Sequence, residues 1–241
     1  MINQNVLLGY PIEFKDICML YPPKVKDVLG NLNFGKYNKL LTYAQEEIED
    51  DYVENKLDLK NLPTPWQYLM ANAYHNEEFK KVAKEAFLFF IKEPVTFLFE
   101  QNMILIGDIK TQTSVEKLRF LREEDYFDFQ NEVRKLMNIP TVEPPDPTID
   151  PRIKAMKAKA RYRDKVKAKQ NKNSGLVTSL SAIFCMGYGL NPLNIGELSY
   201  AAIPVLIYYY QAKEKYELDV QSALAGNKKA KPKYWIKDYE N

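Results

Sequence analysis

Few residues of this chain could carry covalent chemistry. His75 is the only histidine, and Cys18 and Cys185 stand far apart without a CxxC spacing. A Cys–His nucleophile would need a local signature around one cysteine, and neither has one. The acidic run 46–51 lacks the fixed oxygen spacing and central glycine of a calcium loop. GxxxxGK[ST] and GxGxxG are absent from the sequence. The residues therefore predict no enzyme activity, no cofactor and no resident metal, with both cysteines reduced and buried.

The basic run 152–172 is the feature most open to a functional interpretation. It holds ten Lys or Arg residues and one acid, Asp164. Such a run could neutralise phosphates of a nucleic acid, but Tyr162 is its only aromatic residue for base stacking. The alternatives are an acidic protein surface, such as this chain's own 46–51 region, and a plain solvated helix. The cations proposed for either kind of binding are Lys154, Lys157, Arg161, Arg163, Lys165 and Lys169.

Charge and proline content divide the chain. Residues 1–150 hold 17 Lys+Arg and 25 Asp+Glu, a net charge of −8, whereas residues 151–241 hold 17 and 7, a net charge of +10. Five prolines in the twelve residues 140–151 indicate an extended, semi-stiff linker. We therefore expect an acidic, mainly helical domain over 1–139, a linker over 140–151 and a basic helical domain with a basic-aromatic tail over 152–241.

Hydrophobic periodicity predicts a mainly α fold (α+β with a minor β-hairpin near 95–107). Thr64-Pro65 is typical of a helix start, with Thr as N-cap and Pro in the first turn. The segment 6–14 is expected to be an early strand or an extended lead-in. The expected helices that follow it in the first domain are 14–21, a short one over 24–29, 34–54, 65–74, 76 to just before Pro94, 114–121 and 123–137.

The second domain is expected to hold a basic helix over 152–172, a buried helix over 175–187 and a long last helix over 197–224. Two apolar runs here, 176–190 and 198–212, are 15 residues long. A membrane-spanning helix needs about 20 apolar residues, so a buried helical pair fits better than insertion. The first residues also lack the pattern of a signal peptide, and the cytoplasm is the expected compartment.

Two stretches of the sequence resemble a known family. The C-terminal pattern YYYQAKEKYELDVQSALAG, followed by a Lys-rich stretch and Pro-Lys-Tyr-Trp at 232–235, is similar to tail assembly chaperones of phages and prophages. These proteins are encoded between the major tail protein and the tape measure protein. The N-terminal phrase YPIEFKDICMLYPPKVKDVLG, followed by YNKLLTYAQEE, resembles the opening of such proteins from phages of Gram-positive hosts. The likeness covers about 90 residues at the two ends.

The resemblance implies a non-enzymatic protein of the host cytoplasm that binds the tape measure protein and recruits tail tube subunits. Self-association stays open, and neither nucleic acid nor membrane is an expected partner. The alternatives are a structural or interaction component of a phage tail or contractile particle, and a nucleic-acid-associated protein acting through 152–172. The candidate partner-binding residues implied by the resemblance are Tyr209, Tyr216, Lys233, Tyr234 and Trp235.

Overall fold

The computed structural model describes residues 4–55, 57, 62–107, 118–144, 152–153, 156–161, 194–227 and 229–233. The described chain is mainly α with small antiparallel sheets, which confirms the predicted fold class. Its elements are α1 (Gln4–Leu8), β1 (Ile12–Phe14), β2 (Cys18–Leu20), α2 (Val25–Leu29), α3 (Phe34–Thr42), α4 (Gln45–Glu54), α5 (Pro65–His75), α6 (Glu77–Ile91), β3 (Val95–Leu98), β4 (Met103–Ile106), β5 (Arg119–Leu121), α7 (Glu123–Leu136), a 3₁₀ turn (Ile195–Glu197) and α8 (Ala202–Leu224).

Helix α6 lies at the centre of the main core. Its buried face includes Phe87 and Phe90, and it contacts α3, α5 and both small sheets. Helix α7 covers the same core, where Phe129 lies with its ring centroid 5.6 Å from those of both Phe87 and Phe14. Aromatic side chains remove large apolar areas from water, so these rings supply much of the driving force for the fold.

Local signals placed α5 and α6 correctly. The backbone N–H of Gln67 donates to Oγ1 of Thr64 at 3.1 Å, and that of Phe79 donates to Oδ1 of Asn76 at 3.0 Å. Both side chains satisfy a backbone donor that the first helical turn leaves unpaired. The predicted hairpin near 95–107 is also present as β3 and β4, with Phe97 opposite Ile104.

The predicted helix over 14–21 is wrong, because this segment forms most of the hairpin β1–β2. Phe14 pairs with Cys18, and the N–H of Ile17 donates to the carbonyl of Phe14 at 2.9 Å. Lys15 and Asp16 both have positive φ, 43° and 45°, which a helix does not allow. Cys18 is free and buried, as the sequence predicted. The predicted early strand or extended lead-in over 6–14 is present only in part, since 12–14 form β1 but 6–8 belong to α1.

Two further helix predictions need correction. The expected helix over 34–54 is split into α3 and α4, because Tyr43 has an extended backbone with ψ of 96°. Ala44 is the N-cap of α4, and its N–H donates to the carboxylate of Glu47. Residues 119–121 form β5, which pairs with β4, instead of the end of a helix. The earlier part of that predicted helix, 114–117, lies outside the described residues.

The part of the chain after the linker contacts the first part directly. The N–H of Val25 donates to the carbonyl of Leu198 at 2.9 Å, and Val25 shares a small buried cluster with Ile195 and Ile203. Glu197 pairs with the amino groups of Lys24 and Lys26 at 2.7 and 2.5 Å. Because residues 195–201 make this contact with a 3₁₀ turn and an extended stretch, α8 begins at 202 and not at 197.

Most of the predicted helix 152–172 and all of 175–187 lie outside the described residues, although 152–153 and 156–161 are helical. Within the part of the chain that the structure describes, no helix combines the length and the apolar character that crossing a membrane requires. The division into two domains stays a prediction.

Candidate partner-binding cleft

A cleft of about 710 Å³ lies where α4, the start of α5, α7 and the chain after α7 meet. Tertiary packing builds it from elements that are distant in sequence. We call it the α4–α7 cleft. The residues that line it are Ala44, Gln45, Glu46, Glu49, Thr64, Pro65, Trp66, Glu123, Tyr126, Phe127, Gln130, Thr141, Val142, Glu143, Pro144, Lys157 and Arg161.

The floor of the cleft is aromatic and fixed in place. Trp66 and Tyr126 are 1% and 2% exposed, and their rings meet edge to face at 5.3 Å. The indole N–H of Trp66 donates to Oδ1 of Asn102 at 2.8 Å, so its only polar group is satisfied. Burial raises the pKa of the Tyr126 hydroxyl above its ordinary value and keeps it neutral. The two rings thus fix the shape of the floor, and its apolar contact surface comes from the half-buried side chains beside them, Pro65, Phe127 and Val142.

One wall is the chain that follows α7, and α7 itself holds it. Asn131 makes two bonds with the backbone of Val142: its Nδ2 donates to the carbonyl at 3.1 Å and its Oδ1 accepts from the N–H at 3.0 Å. Nε of Arg134 donates to the carbonyl of Pro140 at 2.9 Å. The first residues of the predicted linker are thus bound to the body of the protein.

Arg161 closes the acidic edge of the cleft. Its Nη2 lies 2.6 Å from Oε2 of Glu49, its Nε 3.2 Å from Oδ1 of Asp50 and its Nη1 3.6 Å from Oε1 of Glu46. The carboxylate of Asp50 is almost fully buried and that of Glu49 nearly so, whereas Glu46 is exposed. A planar guanidinium suits such multidentate pairing, because its donors point in fixed directions. At Arg161 the basic run therefore docks on the chain's own acidic helix, one of the alternatives that the sequence left open.

The structure brings two of the six candidate cations to the cleft. Lys157 and Arg161 line it together, one helical turn apart. The other four, Lys154, Arg163, Lys165 and Lys169, lie outside the described residues.

The candidates taken from the resemblance lie elsewhere. Tyr209 and Tyr216 are both half-buried on α8, seven residues apart and so on one face of that helix. Lys233 is exposed, and Tyr234 and Trp235 lie outside the described residues. In the described part of the chain, the lining of the cleft includes no residue of α8.

Sequence reasoning did not single out the aromatic floor or Glu123. Thr64-Pro65-Trp66 marks a helix start, but only the fold shows that this start faces α7, where the hydroxyl of Thr64 donates to Glu123 at 3.1 Å. No local sequence pattern predicts the contact between Thr64 and Glu123, since the two residues are 59 positions apart.

A second, smaller cavity of about 370 Å³ lies between α3, α5 and α6. Tyr43 and Tyr68 line it with ring centroids 5.0 Å apart, and the hydroxyl of Tyr43 donates to Asp51. Desolvation, followed by the bond to the Asp51 carboxylate, raises the pKa of Tyr43 above its ordinary range. Desolvation also raises the pKa of Tyr68, so both hydroxyls stay protonated at neutral pH.

The described residues contain no group of three or more His, Cys, Asp or Glu side chains arranged to hold a metal. Burial raises the pKa of the Cys18 thiol to about 12, so little of it is a nucleophilic thiolate at neutral pH. The cleft presents half-buried apolar side chains on its floor and carboxylates at its rim. Comparison of the chain with known protein families, curated proteins and solved structures found no match.

Proposed function

We propose that this protein is a non-enzymatic phage tail assembly chaperone that acts in the host cytoplasm. It binds the tape measure protein and recruits tail tube subunits. The resemblance at the two ends of the sequence suggests the family, and the form of the last helix supports a role in binding another polypeptide.

The observation that carries the proposal is the burial along α8. Its buried residues are Ala202, Ile203 and Val205, all in the first turn, and no residue over 206–224 is buried. Large apolar side chains are exposed on this stretch, with Leu218 at 63% and Leu224 at 83%. Exposed apolar surface on a helix bordered by charge is typical of a site that binds another chain.

A tape measure protein is a suitable client on physical grounds. A long helical chain presents an amphipathic face, and such a face binds to a second apolar helix or groove. Tyrosine is well suited to that contact, because it combines a large ring with a hydroxyl that tolerates water. The proposal therefore assigns client binding to the part of α8 after its first turn, with Tyr209 and Tyr216 as the contact residues that the resemblance implies.

The test is co-expression of the full chain with the tape measure protein of the same phage genome. We expect the chaperone to keep the client soluble and to co-purify with it. Tyr216→Ala should weaken co-purification, whereas Tyr10→Ala, which removes an exposed tyrosine elsewhere, should not. An unchanged client solubility together with no complex would refute the proposal.

Mass spectrometry of purified phage particles separates the proposal from its nearest alternative. A chaperone leaves as the tube polymerises and should be missing from the finished particle. A structural component of the tail should be present in stoichiometric amount.

A further inference from the structure

The charges that line the α4–α7 cleft are divided between two parts of the chain. Its carboxylates all precede the Pro-rich stretch or lie at its beginning, and they are Glu46, Glu49, Glu123 and Glu143. Both cations of the lining, Lys157 and Arg161, come from the helical segment 156–161. Without that segment the lining would hold four acidic side chains and no basic one. A surface of this kind, beside the half-buried apolar side chains of Pro65 and Phe127, favours a ligand that is both cationic and apolar.

The way in which segment 156–161 sits there shows what form of ligand fits. Ala158 is fully buried while Met156 is 72% exposed, so the segment docks through one face. Ala158 and Arg161 are three residues apart, and therefore lie on the same side of a helix. A small residue lets the helix backbone approach the surface, and the arginine then reaches the carboxylates of α4.

The segment borders the cleft without filling it. About 710 Å³ stays open beside Arg161, within the roughly 300–1,000 Å³ typical of sites for drug-sized ligands. That space is enough for several side chains of a helix laid along the aromatic floor. Glu123 and Glu143 line this open part, and Arg161 pairs with neither of them.

We propose that the α4–α7 cleft is a receptor for a basic amphipathic helix of a partner polypeptide, and that segment 156–161 occupies its acidic edge as a built-in competitor. The cleft is separate from the α8 site of the proposed function, on which this inference rests only for the identity of the partner. A ligand that needs the edge must first displace Arg161, and its apparent affinity is its intrinsic affinity multiplied by the fraction of molecules in which the edge is free. The competitor thereby selects against weakly basic helices.

The test uses a probe that the chain itself supplies: a fluorescein-labelled peptide of sequence 152–172, titrated with the full-length protein and followed by anisotropy. We expect Arg161→Gln to bind the peptide about tenfold more tightly than the wild type, because the edge is then free. Lys159→Gln is the matched control. It removes one charge from an exposed position of the same segment and should leave the affinity unchanged.

A second pair of variants tests the receptor side. Adding Glu49→Gln to the Arg161→Gln protein should weaken peptide binding about tenfold, the loss expected when a charged partner is removed from a partly buried pair. Adding Glu54→Gln, an exposed change on the same helix, should not. A peptide in which Arg161 is replaced by Gln should bind weakly to every variant.

Each outcome decides one part of the proposal. If the wild type and Arg161→Gln bind the peptide with equal affinity, segment 156–161 is not a competitor. If an Arg161→Gln protein that melts cooperatively does not bind the peptide, the cleft is not a receptor for a basic helix. If that variant does not fold, Arg161→Lys replaces it, because lysine keeps the charge but lacks the planar guanidinium. An affinity for the peptide equal to that of the wild type would again show that segment 156–161 does not compete. Since no tape measure protein is used, failure here is distinct from failure of the proposed function.

Discussion

The ion pairs of Arg161 should be worth a measurable part of the stability of the fold. Removing one partner of a fully buried pair costs about 3–5 kcal/mol, whereas an exposed pair contributes about 0–1 kcal/mol. The Arg161 side chain is 27% exposed, and two of its three partners are nearly buried. We therefore expect Arg161→Gln to lower the free energy of unfolding by about 2–3 kcal/mol.

For a chain of this size a loss of that magnitude lowers Tm by roughly 5–10 °C. The assay is urea denaturation followed by circular dichroism, with Lys159→Gln as the control that should change stability by less than about 0.5 kcal/mol. Because the partners are partly buried, salt should screen the effect only weakly.

A double-mutant cycle assigns the effect to its partners. Glu49→Gln alone should cost less than Arg161→Gln, since Arg161 keeps Asp50, and the coupling energy between the two changes should be about 1–2 kcal/mol. A coupling of zero, or a cost of Arg161→Gln no greater than that of Lys159→Gln, would show that Arg161 does not dock on α4 in solution.

Three other outcomes follow from individual contacts. Asn102 has a φ of 51° and accepts the indole N–H of Trp66, so Asn102→Ala should cost about 2 kcal/mol by urea denaturation and Asn102→Gly less, because glycine keeps the backbone angle. The hydrogen bonds from its two lysine partners lower the pKa of Glu197 to about 2 from an ordinary value of 4.5. The stability that Glu197→Gln removes should therefore be constant above about pH 5 and vanish as the pH falls towards 2. Burial raises the pKa of the Cys18 thiol to about 12. In a variant whose other cysteine is replaced by serine, Cys18 should therefore not react with a disulfide reagent at pH 8 while the protein is folded, and it should react at once in denaturant.

Elements that local chemistry determines were predictable from the sequence. Thr64 caps α5 as predicted, and α6 begins where the sequence placed it, because an N-cap side chain acts on a donor only three residues away. The hairpin β1–β2 was not predictable in this way. Its three-residue connection places Lys15 and Asp16 at positive φ, a backbone conformation that usually carries Asn or Gly. A short apolar run before two prolines is compatible with either helix or strand, and tertiary packing decides between them.

The residues that meet in the cleft could not be predicted from the sequence either. Composition identified a basic run and an acidic run that could meet, but ten cations of similar type give no reason to select Arg161. The contact with Asp50 joins residues 111 positions apart, and it depends on where α7 places the intervening chain. The shape of the fold, and not residue type alone, determines that Arg161 docks on α4.

The opposite net charges of the two halves do not by themselves explain how they meet. At Arg161 a cation of the second half meets carboxylates of the first, but at Glu197 the signs are reversed and the acid belongs to the second half. Local pairing therefore decides both contacts. Apolar contacts of Val25 with Ile195 and Ile203 accompany the second one. Because these two contacts are separate, releasing Arg161 leaves the one at Val25 in place. The cleft can then exchange its occupant while the second half stays attached, which is the condition that a built-in competitor must meet.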